Sequence, residues 1–150
     1  MRIIIQRVSE AILSVDSKMH TKIGNGLCVL IGIGISDDES DVDWLISKLL
    51  QLRIFSDREN KMNLNIEEIE GEILLISQFT LFASTKKGNR PGFSLAAKPE
   101  IGEKLYNYFC NQAKDKLPGK IRTGIFGATM QIRLTNEGPV TIIMDSKNRE

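Results

Sequence analysis

Ser77, Gln78 and Thr80 are the side chains in this sequence best suited to hold a reacting carbonyl. They follow an apolar run, Ile73-Leu74-Leu75-Ile76, with no loop between. A hydroxyl or amide buried without a partner costs roughly 1–3 kcal/mol, so a strand that only filled a core would not carry this group. The pattern predicts a strand end opening into a pocket. Alternate side chains on a strand share a face, which pairs Gln78 with Thr80 and Ser77 with Phe79. A hydroxyl beside a carboxamide can orient a water or an ester carbonyl. Thr is equally at home on a solvated strand edge, so the residues alone leave both readings open.

A second constellation lies far along the chain, in Asn136-Glu137-Gly138-Pro139-Val140-Thr141. Proline cannot donate to a ladder and belongs at an edge or bend. Gly138-Pro139 therefore reads as a turn joining two strands. A cis peptide there would aim two carbonyl oxygens to one side, an acceptor pair suited to an ammonium group. Lys86, Lys87 and Arg90 crowd one Gly/Pro-punctuated loop, which is either a solvated segment or a grip for one or two phosphates. Gly124-Ile125-Phe126-Gly127-Ala128-Thr129-Met130 suits a pocket wall or a strand bulge. Arg7, inside the strand-like Gln6-Arg7-Val8, needs a partner or a surface.

Composition narrows the chemistry. The net charge is +1, which leaves no broad basic face for duplex DNA or RNA. The one histidine, His20, falls in the polar stretch Asp16-Ser17-Lys18-Met19-His20, an exposed hairpin region, so Ser-His-Asp, Cys-His and most zinc hydrolysis are not expected. Cys28 and Cys110 read as buried thiols with no Cys or His neighbour to make a metal site. No metal or cofactor is expected. No stretch approaches the ~20 apolar residues that span a bilayer, and the early arginines do not suit a signal peptide, so no membrane partner and a cytoplasmic location are expected.

The 150 residues fit one compact domain spanning 1–150, with 41% hydrophobic and 26% charged residues. Ile3 to Val8 and Ala11 to Val15 read as two paired strands, and Leu27 to Ile33 as a core strand. Asp37, Asp38 and Glu39 then open a helix whose buried face is Val42, Leu45, Ile46, Leu49 and Leu50. Pro99 opens a second helix with Ile101, Leu105, Tyr108, Phe109 and Gln112 inward. Ile121 to Phe126, Met130 to Leu134 and Val140 to Met144 complete the strands. Two main helices among many strands define an α+β fold, with mixed or antiparallel β-sheets forming a barrel-like core.

Ser77-Gln78-Phe79-Thr80-Leu81 together with Asn136-Glu137-Gly138-Pro139-Val140-Thr141 resembles the motif pair of the D-aminoacyl-tRNA deacylases, the D-tyrosyl-tRNA(Tyr) deacylase family. The likeness continues through Gln6-Arg7-Val8, Arg53-Ile54-Phe55-Ser56-Asp57, Lys61-Met62-Asn63-Leu64, Arg90-Pro91-Gly92-Phe93-Ser94 and Phe126-Gly127-Ala128-Thr129-Met130. Glu137 stands where many members carry Asp, and Gly92 where Ser is common. The resemblance implies a homodimer that hydrolyses D-aminoacyl-tRNA, and glycyl-tRNA with it, releasing the amino acid. It implies a cis Gly138-Pro139 peptide that enters the partner's pocket, holds the substrate ammonium and excludes L side chains. Arg7 would orient that peptide, and Asn136, Phe126 and Met130 would contribute to substrate binding. Ser77, Gln78, Phe79 and Thr80 would surround the ester and the terminal adenosine, and Lys86, Lys87 and Arg90 the tRNA backbone. DNA is not an expected partner. The alternatives are a non-catalytic RNA-end-binding dimer and a small-molecule esterase.

Overall fold

The computed structural model describes residues 1–149. Among them the order is β1 (Arg2–Val15), β2 (Lys18–Ile23), β3 (Gly26–Gly32), α1 (Glu39–Gln51), β4 (Phe55–Ser56), β5 (Met62–Leu64), β6 (Glu72–Ser77), α2 (Pro99–Lys116), β7 (Ile121–Thr123) and β8 (Met130–Asp145). A 3-10 turn, Phe79–Phe82, lies between β6 and α2. Six strands form one mixed sheet, β2-β1-β3-β6-β7, with β8 also paired to β1, while β4 and β5 make a separate hairpin. β3, β6 and β7 run parallel, and parallel neighbours need a crossover, which α1 and α2 supply.

Both helices cover one face of the sheet. Val42, Leu45, Ile46 and Leu49 of α1 join Leu105, Tyr106, Phe109 and Ala113 of α2 over Ile3, Ile5, Val29, Ile31, Ile73 and Leu75. Each fully buried aliphatic side chain contributes about 1.5–3 kcal/mol. A smaller cluster of Val8, Ala11, Leu13, Ile23, Cys28, Leu74 and Ile76 fills the opposite face, where the sheet curls over itself. The α+β class, the two helices and the barrel-like mixed sheet follow the sequence pattern.

Four expectations need correction. Ile3 to Val8 and Ala11 to Val15 are one continuous strand, and both halves pair with β8. Ile3 and Ile5 point to the helices, but Ala11 and Leu13 point to the other face. A bulge near the exposed Ser9 and Glu10 flips the phase and hides the continuity from a period-two reading. Likewise Met130 to Leu134 and Val140 to Met144 belong to one strand, so Gly138-Pro139 is no hairpin turn. In α2, Leu105 and Phe109 are buried as expected, but Ile101 is 50% exposed, and Tyr106, Cys110 and Ala113 take the inner face. Tyr106 can sit there because its hydroxyl donates to the Leu75 carbonyl at 2.9 Å. The strand expected from Ile121 to Phe126 stops at Thr123.

The start of the chain is held from inside. The Met1 ammonium, wholly buried, donates to Asp37 Oδ1 at 2.6 Å and to Ser146 Oγ at 2.7 Å. Asp37 Oδ2 accepts the Gly34 amide at 2.6 Å. Beside it, Asp38 caps α1 in a reciprocal box with Asp41. Burial alone would push the Asp41 carboxyl up, but Lys147, the Asp38 amide, Ser146 and the N-terminal charge outweigh it and hold it below its ordinary value. That contribution to stability is complete above the unfolded carboxylate pKa, about 3.9, and is lost as pH falls through the lower folded value.

Candidate active site

β6 ends at Ser77, and the chain then curls instead of extending. The Gln78 amide still donates to Ile31 O at 2.7 Å, but Leu81 N–H returns to Gln78 O at 3.3 Å and Ala83 N–H to Thr80 O at 3.0 Å. The strand-like alternation through Thr80 is therefore corrected to a 3-10 turn. Gln78 and Thr80 nevertheless meet, because Gln78 Nε2 donates to Thr80 Oγ1 at 2.5 Å. The first N–H groups of such a turn, those of Phe79 and Thr80, have no acceptor within it. Gly32 permits the turn to sit so close to β3. A Cβ there would stand 2.8 Å from Leu81 Cβ and 3.1 Å from Gln78 O.

The turn borders a cavity of about 600 Å³. Ser77, Gln78 and Phe79 form one wall. Phe126, Gly127, Ala128, Met130 and Ile132 form another, and Phe93, Ala96, Ala97 and Pro99 a third. Phe79, 57% exposed, meets Phe93 edge to face at 5.0 Å. No lining residue is a histidine, cysteine or carboxylate. His20 is exposed on β2, as its polar surroundings predict. Both cysteines are buried, which pushes each thiol up to about 11 and keeps it protonated at neutral pH. The side-chain partner of the Thr80 hydroxyl is the Gln78 carboxamide, which is not a base. Lys86, Lys87 and Arg90 are exposed in a loop whose base is closed by the mutual Ser84–Gly92 backbone pair, and they do not line the cavity.

The Gly138-Pro139 segment forms a separate feature. β1 advances two residues from Gln6 to Val8 while β8 spans five, from Asn136 to Thr141, so Glu137 to Val140 bulge out of the ladder. Asn136 closes the base: its Oδ1 accepts the Val140 amide at 2.8 Å and its Nδ2 donates to Thr141 Oγ1 at 3.0 Å. Arg7, 9% exposed, donates through Nε to the Glu137 carbonyl at 3.0 Å and through Nη1 to Ile54 O at 2.6 Å. It thus grips the carbonyl before Gly138. The Gly138–Pro139 peptide is cis, and Gly138 has φ +132°. Gly138, Pro139, Arg7, Asn136 and the exposed Thr80 do not line the cavity of their own chain, whereas Ser77, Gln78, Phe79, Phe126 and Met130 do. Sequence reasoning missed Gly32, Phe93, Ala96 and Ala97. Small residues beside an aromatic, in Phe93-Ser94-Leu95-Ala96-Ala97, were the available signal.

The cavity thus sets the polar Ser77 and Gln78 against an otherwise apolar and aromatic lining. Solved structures share the whole fold. One titled "c-Myc DNA Unwinding Element Binding Protein" superposes with a TM-score of 0.92 at 39% identity, covering 97% of this chain and 98% of that one. Another, titled as a probable eukaryotic D-amino acid tRNA deacylase, gives 0.83 at 21% identity, covering 95% and 97%. A D-aminoacyl-tRNA deacylase of Flavobacterium psychrophilum is 53% identical over 150 residues, the full length of both chains. The family model described as D-Tyr-tRNA(Tyr) deacylase matches residues 4–145. The chain belongs to that family.

Proposed function

We propose that this chain hydrolyses the ester of D-aminoacyl-tRNA as a homodimer, each cavity being completed by the other subunit's Gly138-Pro139 bulge. The observation that carries the reading is the separation just described. The bulge is braced by Arg7 and Asn136, is exposed, and takes no part in its own chain's cavity. Among the described residues β8 pairs with β1 alone, so its outer edge is a template for another chain. Ile143, 70% exposed, and Ile132, 36% exposed, accompany Pro139 on that strand. A two-fold dimer covers such an edge and presents each bulge to the opposite cavity.

In the site, the aminoacyl carbonyl lies against the Phe79 and Thr80 amides, which take up the charge that develops on its oxygen. Gln78 fixes the Thr80 hydroxyl, and Met130 and Phe126 enclose the acyl group. The bulge's carbonyl oxygens receive the substrate ammonium and leave no space on the L side. The vicinal 2′-hydroxyl of the terminal adenosine helps to activate a water. Lys86, Lys87 and Arg90 meet tRNA phosphates outside the cavity.

Steady-state hydrolysis of D-tyrosyl, L-tyrosyl and glycyl esters tests the selection rule. Glycine offers no side chain to exclude, so its ester is expected to react along with the D-ester while the L-ester stays inert. Glycyl and L-tyrosyl esters equally inert would contradict exclusion. Thr80→Ala is expected to keep at least about a tenth of the wild-type kcat, because the hydroxyl lacks a base to make it a nucleophile. A folded, substrate-binding Thr80→Ala protein with no turnover would overturn the water route.

A further inference from the structure

The 3-10 turn that presents the Phe79 and Thr80 amides has little support of its own. Gln78, at its N-terminal boundary, makes no side-chain cap to it, and none of its four residues is buried. Its C-terminal carbonyls need donors from elsewhere. Thr80 O is taken by the Ala83 amide at 3.0 Å. Leu81 O is taken by Arg2, whose Nη1 donates to it at 3.1 Å. The same guanidinium lies over the Phe82 ring, with Cζ 4.6 Å from the centroid. Its Nε donates to Asp145 Oδ2 at 2.7 Å. Arg2 therefore touches the turn at two consecutive residues and the end of β8 at a third.

We propose that Arg2 is a positioning residue for the reaction: it caps the Phe79–Phe82 turn from its C-terminal end, and so sets where the two amides meet the ester oxygen. The inference rests on the proposed role of those amides. It also ties the turn to β8, the strand that carries Gly138-Pro139. A planar guanidinium is required, since one flat group must cap a carbonyl, cover a ring and pair with a carboxylate at once. A lysine at this position keeps the charge beside Asp145 but offers a single ammonium to three partners. A cation at the carbonyl end of the turn is also favoured by its peptide dipoles.

The test is Arg2→Lys and Arg2→Gln, measured for kcat, for KM with D-tyrosyl-tRNA, and for hydrogen exchange at the Leu81 and Ala83 amides. Asp145→Asn serves as the comparison that spares both contacts to the turn. Both Arg2 variants are expected to lower kcat about tenfold with KM changed less than about twofold. Exchange at Leu81 and Ala83 should accelerate, while the β6 amides of Ile73 to Ile76 keep their protection. Asp145→Asn should lose less activity than either. If exchange at the turn is unchanged, Arg2 does not hold it and the proposal fails. If exchange rises while kcat stays at the wild-type value, Arg2 holds the turn but the turn's amides are not catalytic; that result overturns the role assigned to the amides, and the proposal with it. A uniform rise in exchange across β6 would mark Arg2 as merely structural and equally overturn it.

Discussion

Gly138→Ala is expected to lower kcat/KM for D-aminoacyl-tRNA about 100-fold or more, with the fold retained. At φ +132° an L side chain is strained whatever the space around it. The space is also absent: a Cβ would lie 2.8 Å from Val140 Cγ2 and 3.0 Å from both Arg7 Nη2 and the Val140 nitrogen. Val140 is nearly buried and Arg7 is anchored at two carbonyls, so the bulge itself must move. A displacement near 1 Å in a positioning group costs on the order of 100-fold. The fold should survive because Glu137 to Val140 already lie outside the ladder. Single-turnover hydrolysis, with circular dichroism to confirm folding, provides the check. A variant within about threefold of wild type would show that the bulge does not position substrate.

Asp37→Asn has the largest expected effect on stability. The Met1 ammonium and the Asp37 carboxylate are 2.6 Å apart, with side-chain exposures of 0% and 1%. Removing one charge of a buried pair strands the other and typically costs 3–5 kcal/mol. The carboxamide could keep either the oxygen that meets the ammonium or the one that accepts Gly34, but not the charge. For a chain of this size that corresponds to a melting temperature lower by roughly 6–20 °C at fixed protein concentration. A midpoint within 2 °C of wild type, on the order of an ordinary surface substitution, would mean that water or a shifted side chain rescues the ammonium.

Where periodicity was regular, the elements were legible in the sequence. α1 shows its i, i+3, i+4, i+7 face and an acidic cap, and both appear as expected. The long strands were not legible, because each carries a bulge that interrupts its phase: Ser9-Glu10 in β1 and Glu137 to Val140 in β8. In the cavity wall, Ser77 and Gln78 could be found because polar residues directly after an apolar strand suit a pocket, and Phe79 lies beside them. Gly32 could not, since its contribution is room for a neighbour rather than a chemical group. Arg2 was hidden for a different reason. Its partners are 79 and 143 residues away, and no local pattern records such a contact.

The shared-site account is tested most directly by mixing two inactive dimers. Gly138→Ala spoils the bulge and leaves the cavity intact, whereas Met130→Trp fills the cavity and leaves the bulge intact. After subunit exchange, confirmed by native mass spectrometry, half of the dimers are hybrids with one sound cavity facing one sound bulge. The account predicts recovery of about a quarter of wild-type D-tyrosyl-tRNA hydrolysis. Complete exchange without any recovered activity would place both features in the service of a single subunit and contradict it.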